Sequence, residues 1–314
     1  MESIHKTVLL NETIDGLNLS PKSLVLDCTF GGGGHSAEVC RRFPGVKIIA
    51  LDQDKSAFEK AKDKFKSLNC DISFVNSNFK DLDKVFSPSP GEGENPLHLV
   101  TGNTVDGIIF DLGLSSDQLE NSGRGFSFMK DEPLLMQMKN SGKENPSLED
   151  TTAKEVVNTW EEKNLADIIY GYGEERYSRR IAKGIVDARK KGEIKTTFDL
   201  VKIIGDSVPA IYRRGRLHYA TRTFQALRIA VNDELGVLKE GLEKGFKVLK
   251  VGGRMSVISF HSLEDRITKK YFKELEKEGK AKLINKRPIV ASDEELKNNH
   301  RSRSAKLRVL EKIQ

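Results

Sequence analysis

Residues 24–39 read LVLDCTFGGGGHSAEV, in which an apolar run and an aspartate lead into four consecutive glycines. The segment Leu24–Cys28 predicts a short strand, and the residues after Gly34 predict a helix. Open α/β sheets bind nucleotides at a glycine-rich turn between the first strand and the first helix, because backbone N–H groups face the ligand there. A tight turn alone needs fewer glycines, so this run favours the close approach of a ligand.

The segments around this turn alternate between strand and helix patterns. The predicted strands are 47–51, 72–75 and 106–112, and the predicted helices are 35–43, 56–68 and 79–86. This alternation predicts an α/β fold with a doubly wound, Rossmann-like sheet and right-handed crossovers. The wholly apolar stretch Ile48–Leu51 indicates that the sheet is covered on both faces.

The alternation stops after about residue 120, where mostly helical patterns begin. A long helix is predicted from Ala220 to the Gly252–Gly253 pair, and another strand at 254–260. We therefore expect an α/β core formed by residues 1–120 and 219–314, interrupted by a helical domain inserted at residues 121–218. The Pro/Gly/Ser-rich segment 87–104 is interpreted as a surface loop.

Composition narrows the class of protein. The 314 residues fit two domains, or one domain with a large insertion, and the net charge of +6 favours a polyanionic partner without proving one. No apolar run is long enough to span a membrane and the N-terminus lacks an apolar leader, so a cytoplasmic protein without membrane contact is expected. Cys28, Cys40 and Cys70 are expected to be free buried thiols. No residue cluster has metal-ligand spacing, so no metal is expected.

Two ligand classes fit the glycine loop. Gly32, Gly34 and Ala37 match the dinucleotide-binding pattern G-x-G-x-x-G/A, and Asp52 ends the next strand, where an acid can accept hydrogen bonds from ribose hydroxyls. A dinucleotide would place its pyrophosphate on the loop, whereas S-adenosylmethionine would place its methionine and sulfonium there. The glycine loop alone does not distinguish these two ligands, so it also fits an NAD-dependent oxidoreductase.

The fourth strand ends in Phe110–Ser116, which reads FDLGLSS. Amino-methyltransferases carry an acid or amide at this place, which accepts a hydrogen bond from the target amine. An exocyclic amine is a poor nucleophile because its lone pair is delocalised into the ring, and accepting its protons helps to localise that pair. Asp111 is therefore the candidate catalytic residue, with a solvated strand-end aspartate as the alternative.

Several motifs follow one another in a fixed order along the chain. They are Asp27–Ser36, Asp111–Ser116, Arg124–Met129, Tyr172–Arg176, Ala220–Ala226 and Ser259–Arg266. In these motifs, and over almost its whole length, the chain resembles the bacterial enzymes that methylate N4 of a cytosine in the decoding region of small-subunit ribosomal RNA. The resemblance implies an S-adenosylmethionine-dependent methyltransferase with an inserted helical domain. It also implies small-subunit ribosomal RNA as the partner, within an assembled or nearly assembled subunit, and leaves a homodimer open.

The resemblance also assigns residues to the cofactor. The implied cofactor contacts are Gly33, Gly34, His35, Asp52, Phe79, Asp111 and Gln118. Without the resemblance, the sequence alone predicts a core residue at Phe79 and a surface amide at Gln118. The family usually has proline at the position of Asp117, and charged residues at those of Leu135, Gln137 and Lys139. These departures affect RNA positioning if they line the substrate cleft, and stability if they only fix the insertion.

On the RNA side, cytosine N4 lies hidden in a paired stack, so the base must be unpaired or flipped out. The candidates to contact it are Phe126 and Phe128, with packing under the insertion as their alternative. Ser262 is expected to cap a helix, and His261 is not assigned as a base. Candidate phosphate-binding residues are Arg213, Arg214 and Arg216, beside two tyrosines, and Arg301 and Arg303.

Two other functions remain at this stage. A non-catalytic RNA-binding assembly factor finds its only support in the altered residues 135–139. A DNA amino-methyltransferase would transfer methyl groups to duplex DNA. A methyl-transfer assay on small subunits that lack the modification distinguishes the assembly factor from the RNA methyltransferase.

Overall fold

The computed structural model describes residues 6–68, 70–86, 104–139 and 151–314. The chain divides into two compact units. Unit 1 is formed by the residues up to Gly113 together with Leu235–Gln314, and unit 2 by Leu114–Glu234. The helical insertion expected at 121–218 falls within unit 2. The expected surface loop at 87–104 lies outside the described residues, except for Thr104.

Unit 1 is built on a seven-stranded sheet in the order β3-β2-β1-β4-β5-β7-β6. Strands β1 to β5 pair in parallel, whereas β7 is antiparallel to both of its neighbours. The α/β prediction is confirmed, and β6 and β7 were not predicted. The strands are β1 Leu24–Asp27, β2 Lys47–Asp52, β3 Asp71–Asn76, β4 Val105–Asp111, β5 Leu249–Ser259, β6 Ala281–Leu283 and β7 Lys306–Lys312.

Both faces of this sheet are buried. On β1, Val25 packs with Ile48 of β2 in one apolar cluster, and the next residue, Leu26, packs with Ile49 in another. Successive side chains of a strand point to opposite faces, so the two clusters cover opposite sides of the sheet. The prediction from the apolar strands is therefore confirmed.

The helices separate between the two units. Unit 1 contains α1 Leu10–Leu17, α2 Gly34–Arg42, α3 Lys55–Ser67, α4 Leu82–Phe86, α13 Ser262–Lys277 and α14 Asp293–Asn298, with most of α12 Glu234–Val248. Unit 2 contains α5 Ser116–Asn121, α6 Ala153–Thr159, α7 Glu162–Gly171, α8 Ser178–Arg189, α9 Thr197–Ser207, α10 Ala210–Arg213 and α11 Thr221–Asn232. Short 3₁₀ helices occupy Phe79–Asp81 and His300–Ser304.

The single long helix predicted from Ala220 is wrong, because α11 and α12 are separate helices. Asp233 between them has a φ of 46°, in the left-handed region. An L-residue in that conformation cannot continue a right-handed helix. The apolar spacing of the segment did not reveal this break, because both helices keep the same periodicity.

Unit 2 has its own apolar core, to which the segment after Pro133 contributes. Leu134, Met136 and Met138 are buried in this core. Leu135, Gln137 and Lys139, where the resemblance implies charged residues, alternate with them, and Gln137 Nε2 donates to the Thr151 carbonyl oxygen at 3.3 Å. The departures therefore leave the buried side of this segment unchanged.

The prediction of free thiols holds only for Cys28, which is buried and unpaired. Cys40 and Cys70 form a disulfide, with a Cα–Cα distance of 5.8 Å. The two cysteines are 30 residues apart in sequence, and only the fold brings the end of α2 beside the start of β3. In the described part of the chain, no helix is both long and apolar enough to cross a membrane.

Candidate active site

Three acidic residues stand at the carboxyl ends of neighbouring parallel strands. Asp27 ends β1, Asp52 ends β2 and Asp111 ends β4. These strands are adjacent, in the order β2-β1-β4, so their carboxyl ends meet at one edge of the sheet. That edge is where open α/β sheets bind their ligands.

Asp52 fastens the glycine loop to the end of β2. Its Oδ2 accepts a hydrogen bond from the backbone N–H of Gly31 at 2.8 Å, and its Oδ1 accepts one from Asp54 at 2.8 Å. These bonds hold the carboxylate in one orientation, as recognition of a ribose requires. Asp52 therefore remains the candidate acid for ribose hydroxyls.

The glycine loop is shaped largely by the protein's own packing. Gly33 has a φ of +64°, and a Cβ there would lie 2.6 Å from Phe30 Cζ. A Cβ on Gly34 would lie 1.8 Å from Thr7 Oγ1. Contacts within the chain therefore require glycine at both positions, and the close approach of a ligand is not needed to explain them.

Replacing Gly34 with alanine is expected to destabilise the protein by about 1–3 kcal/mol, because the new methyl group overlaps Thr7. The Thr7→Ala exchange removes the clashing hydroxyl, so the double variant is expected to recover most of this loss. Urea unfolding of both single variants and the double variant measures the coupling. Strictly additive losses would contradict the packing explanation.

Asp27 is a site residue that the sequence did not single out. It is buried, its Oδ2 accepts a hydrogen bond from Ser36 Oγ at 2.6 Å, and its Oδ1 accepts one from the Thr29 N–H at 3.2 Å. Burial raises the pKa of Asp27 to about 6 although these hydrogen bonds lower it, and the charge of Asp52 adds to the rise. The sequence feature that could have identified Asp27 is its position near the end of a predicted strand, shortly before the glycine loop.

Asp111 has the most perturbed carboxyl group at this edge. Its backbone N–H donates to Thr29 Oγ1 at 2.6 Å, and its Oδ1 is buried without a hydrogen-bond partner among the described residues. Burial, together with the charges of Asp27 and Glu264, raises the pKa of Asp111 to about 8. A buried acceptor without a partner, on a group with a shifted pKa, marks a functional site.

His35 lies beside this carboxyl group, at the start of α2. The ring is 4% exposed; Nε2 is 3.2 Å from the Val8 carbonyl oxygen and Nδ1 is 3.6 Å from Asp111 Oδ2. The fold therefore places one of the predicted cofactor contacts against the predicted catalytic acid.

The start of α13 supplies a further acid. Glu264 is 3% exposed, and its Oε2 accepts hydrogen bonds from the N–H groups of Phe260 at 2.8 Å and His261 at 3.2 Å. The prediction that Ser262 caps this helix is wrong. Ser262 is the first helical residue, and His261 precedes it as the cap, with Nδ1 accepting from the Glu264 N–H.

Two other predicted cofactor residues have structural contacts. Phe79 packs edge-on against Phe110 at 5.4 Å between ring centroids, and a Cβ on Gly241 of α12 would lie 2.4 Å from it. Gln118 is buried, and with Ser115 it forms the capping box of α5. The surface position expected for Gln118 from its sequence alone is therefore wrong, and contact of both residues with the cofactor stays a prediction.

The two predicted base-stacking residues differ. Phe126 is 6% exposed and its ring packs in the core of unit 2, so contact of Phe126 with the target base stays a prediction. Phe128 is half-buried and stacks on His218, with ring centroids 4.5 Å apart and planes within 5°. The Phe128 ring also makes a T-shaped contact with Phe224, with ring centroids 5.6 Å apart.

The predicted phosphate-binding arginines are mostly exposed. Arg213, Arg214 and Arg216 lie at and just after the end of α10 in unit 2. In unit 1, the 3₁₀ helix His300–Ser304 carries an exposed Arg303 and a half-buried Arg301. Each group forms a local basic surface on its own unit.

Comparisons with known proteins cover almost the whole chain. A sequence model of a family described as the MraW methylase family matches residues 2–313. A protein of Lactobacillus johnsonii named ribosomal RNA small subunit methyltransferase H is 44% identical over 332 aligned residues, which cover 100% of both chains. A Paenibacillus protein of the same name is 42% identical over 326, covering 98% of this chain and 99% of the other.

Proposed function

Because the chain belongs to the MraW methylase family, we propose that it methylates N4 of a cytosine in the decoding region of small-subunit ribosomal RNA. S-adenosylmethionine is the cofactor, and it supplies an electrophilic methyl group carried on a positively charged sulfur. The nicotinamide alternative is thereby removed. The choice of cytosine N4 rests on the motifs shared with the family, and the small-subunit RNA also on the names of the relatives.

The observation that carries the proposal is the buried, unpartnered Oδ1 of Asp111 at the end of β4. The N4 amine of cytosine has N–H groups to donate, and an acceptor fixed by the sheet would orient the amine and help to localise its lone pair. Cytosine N4 and Asp111 Oδ1 are thus complementary as donor and acceptor.

The residues at the strand ends fit the cofactor. Asp52 offers a fixed carboxylate for the ribose hydroxyls, and Phe79 offers a half-buried ring for the adenine. Gly33 is the N-cap of α2 and Gly34 and His35 are its first two residues, where the backbone N–H groups of a helix N-terminus have no partner within the helix. We assign these residues to cofactor binding together with Gln118.

Mass mapping of ribosomal RNA tests the proposal. Small subunits from cells that lack the modification are incubated with the protein and S-adenosylmethionine, in parallel with naked small-subunit RNA and duplex DNA. We expect one methyl group on N4 of one cytosine, with subunits as the better substrate. Binding of subunits without any transfer would support a non-catalytic assembly factor, and methylated DNA a DNA amino-methyltransferase.

Removing the carboxylate of Asp52 is expected to weaken cofactor binding. The Asp52→Ala exchange deletes acceptors whose bonds are worth about 1.5–3 kcal/mol, so the dissociation constant for S-adenosylmethionine should rise about 10- to 100-fold. Calorimetry measures this constant. The control is Asp54→Ala, which removes the neighbouring acid that caps α3 through the Ser56 N–H. Equal losses in both variants would contradict a direct role for Asp52.

A further inference from the structure

The contact between His35 and Asp111 suggests how this carboxyl group becomes an acceptor. We propose that His35 is a positioning residue whose Nδ1 takes the proton of Asp111, so that Asp111 faces the target amine as a carboxylate. This inference rests on the proposed function for its purpose, but the proton itself can be observed without any methyl transfer.

The tautomer of His35 follows from its hydrogen bond. Nε2 lies 3.2 Å from the carbonyl oxygen of Val8, which can only accept, so Nε2 carries a hydrogen. In the neutral ring Nδ1 then has a lone pair, and Nδ1 lies 3.6 Å from Asp111 Oδ2. Two facing lone pairs repel each other, whereas one proton on the pair makes the contact attractive.

That proton has two places to reside. In one form it stays on Oδ2 of Asp111 and the ring is neutral; in the other the O–H bond breaks, an N–H bond forms at Nδ1, and carboxylate faces imidazolium. The pair keeps the same total charge in both forms, so no proton is exchanged with solvent. The 3.6 Å separation exceeds hydrogen-bond length, and catalytic contacts of this kind tighten when the substrate binds.

The surrounding charges keep one proton on the pair. The negative charges of Asp27 on β1 and Glu264 on α13 both raise the pKa of the Asp111 carboxyl group. His261 faces Glu264, with Nε2 and Oε1 3.2 Å apart. The negative neighbours therefore oppose loss of the proton to solvent, and transfer to His35 provides a way to form the carboxylate without that loss.

The carboxylate form serves the target amine better. Hydrogen bonds to an ionised acceptor are roughly twice as strong as bonds between neutral groups. When an N–H donor reaches Oδ1, it therefore favours movement of the proton from Oδ2 to Nδ1. The same acid with no proton-accepting neighbour would depend on external pH for its ionisation.

Nitrogen NMR of the imidazole rings tests the pair directly in the full-length protein without substrate. The ring signals of His35 are assigned by their loss in a His35→Gln variant. In the wild-type protein we expect a proton on Nε2. At pH 7 we expect the Nδ1 chemical shift to lie towards the value of a protonated nitrogen, and above about pH 8 we expect it to return to the value of an unprotonated nitrogen. The Asp111→Asn variant should show no such change between pH 7 and 9. Identical Nδ1 signals in both proteins, or an Nε2 without its proton, would overturn the inference.

Rates with matched variants give the second readout. In His35→Gln the amide nitrogen replaces Nε2 and keeps a donor for Val8, but nothing takes the proton of Asp111. With a pKa of about 8, this carboxyl is about 1% ionised two pH units lower. We expect the single-turnover rate of this variant to fall about 100-fold from pH 8.5 to pH 6, against less than about 10-fold for the wild type.

The His35→Asn variant is the conservative rescue, because its amide nitrogen replaces Nδ1 and can donate to Oδ2. It should recover part of the rate at pH 6 relative to His35→Gln. Matching pH profiles of the wild type and His35→Gln would overturn the inference while leaving the proposed function intact. A wild-type protein that shows the NMR signature but methylates no subunits would instead overturn the proposed function alone.

Discussion

Replacing Asp111 with asparagine is expected to lower the rate of methyl transfer to small subunits by about 10²- to 10⁴-fold, the usual contribution of a positioned proton acceptor. Asparagine keeps the shape of the side chain and one oxygen, but it cannot become an anion. Affinity for S-adenosylmethionine should change less than the rate does, because the acid acts on the amine. Single-turnover assays with saturating cofactor measure the rate.

The same exchange is expected to stabilise the protein, and more so at high pH. The pKa of Asp111 is about 8 in the folded protein, against an ordinary value of 3.8, because burial disfavours the charge. Between these values the native state binds more protons than the unfolded state, so the free energy of unfolding falls as the pH rises. Asparagine carries no titratable proton, so the variant keeps its free energy of unfolding over this pH range. In the wild type the loss of stability is complete above about pH 8.

Melting temperatures at pH 5 and pH 8.5 check this sign. The gain in Tm of Asp111→Asn over the wild type should be larger at pH 8.5, and each kcal/mol corresponds to about 2 °C in a chain of this size. The control is Asp106→Asn on the same strand. Asp106 accepts from the Leu24 N–H at 2.9 Å and pairs with Lys250, so its loss should lower Tm and leave transfer unchanged. A gain at pH 8.5 no larger than at pH 5 would contradict the buried-charge argument.

The parallel part of the sheet was predictable because it rests on local pattern, whereas β7 was not. Its sequence, Lys306–Lys312, places a charged residue in the middle of a strand that is buried there. Arg308 is tolerated because its Nε donates to Asp265 Oδ1 at 2.7 Å. That partner lies 43 residues earlier in the chain, so only the tertiary structure reveals that the charge is compensated.

The candidate site, like the sheet, was predictable from the sequence only in part. Asp52 and Asp111 were predictable because each ends a recognisable strand. The side chains around them were not, since Asp27 is held by Ser36, and the orientation of His35 depends on the carbonyl group of Val8. The burial of Phe126 in the core of unit 2 was not predictable, because an aromatic residue in a glycine-rich loop has the same local sequence whether it faces a substrate or a core.

On unit 2, side-chain contacts fix the segment that precedes the basic residues near α10. Tyr212 donates its hydroxyl hydrogen to Oε2 of the buried Glu175 at 2.6 Å, and burial together with this bond raises the pKa of Tyr212 to about 12. The Arg176 guanidinium lies 5.1 Å from the centre of the Tyr212 ring. These contacts fix the chain directly before Arg213, so the arginines that follow are presented at a defined place.

Replacing Arg213, Arg214 and Arg216 together with glutamine is expected to weaken binding to small subunits roughly 10²-fold at about 0.1 M salt. Each arginine that neutralises a phosphate releases a counterion, so the slope of log affinity against log salt should fall by about 2–3 in magnitude. Binding titrations at several salt concentrations measure both quantities, and calorimetry should show an unchanged affinity for S-adenosylmethionine.

The matched control removes the same charge elsewhere on unit 2. Arg179, Lys183 and Lys191 are also exposed, and a triple glutamine variant of these residues lowers the net charge by the same amount. If phosphates are bound at α10, the control keeps the wild-type salt slope, because long-range attraction alone is screened within about 10 Å at this salt concentration. Equal slopes and equal affinity losses in the two variants would show that only total charge matters, and would contradict an RNA-binding surface at α10.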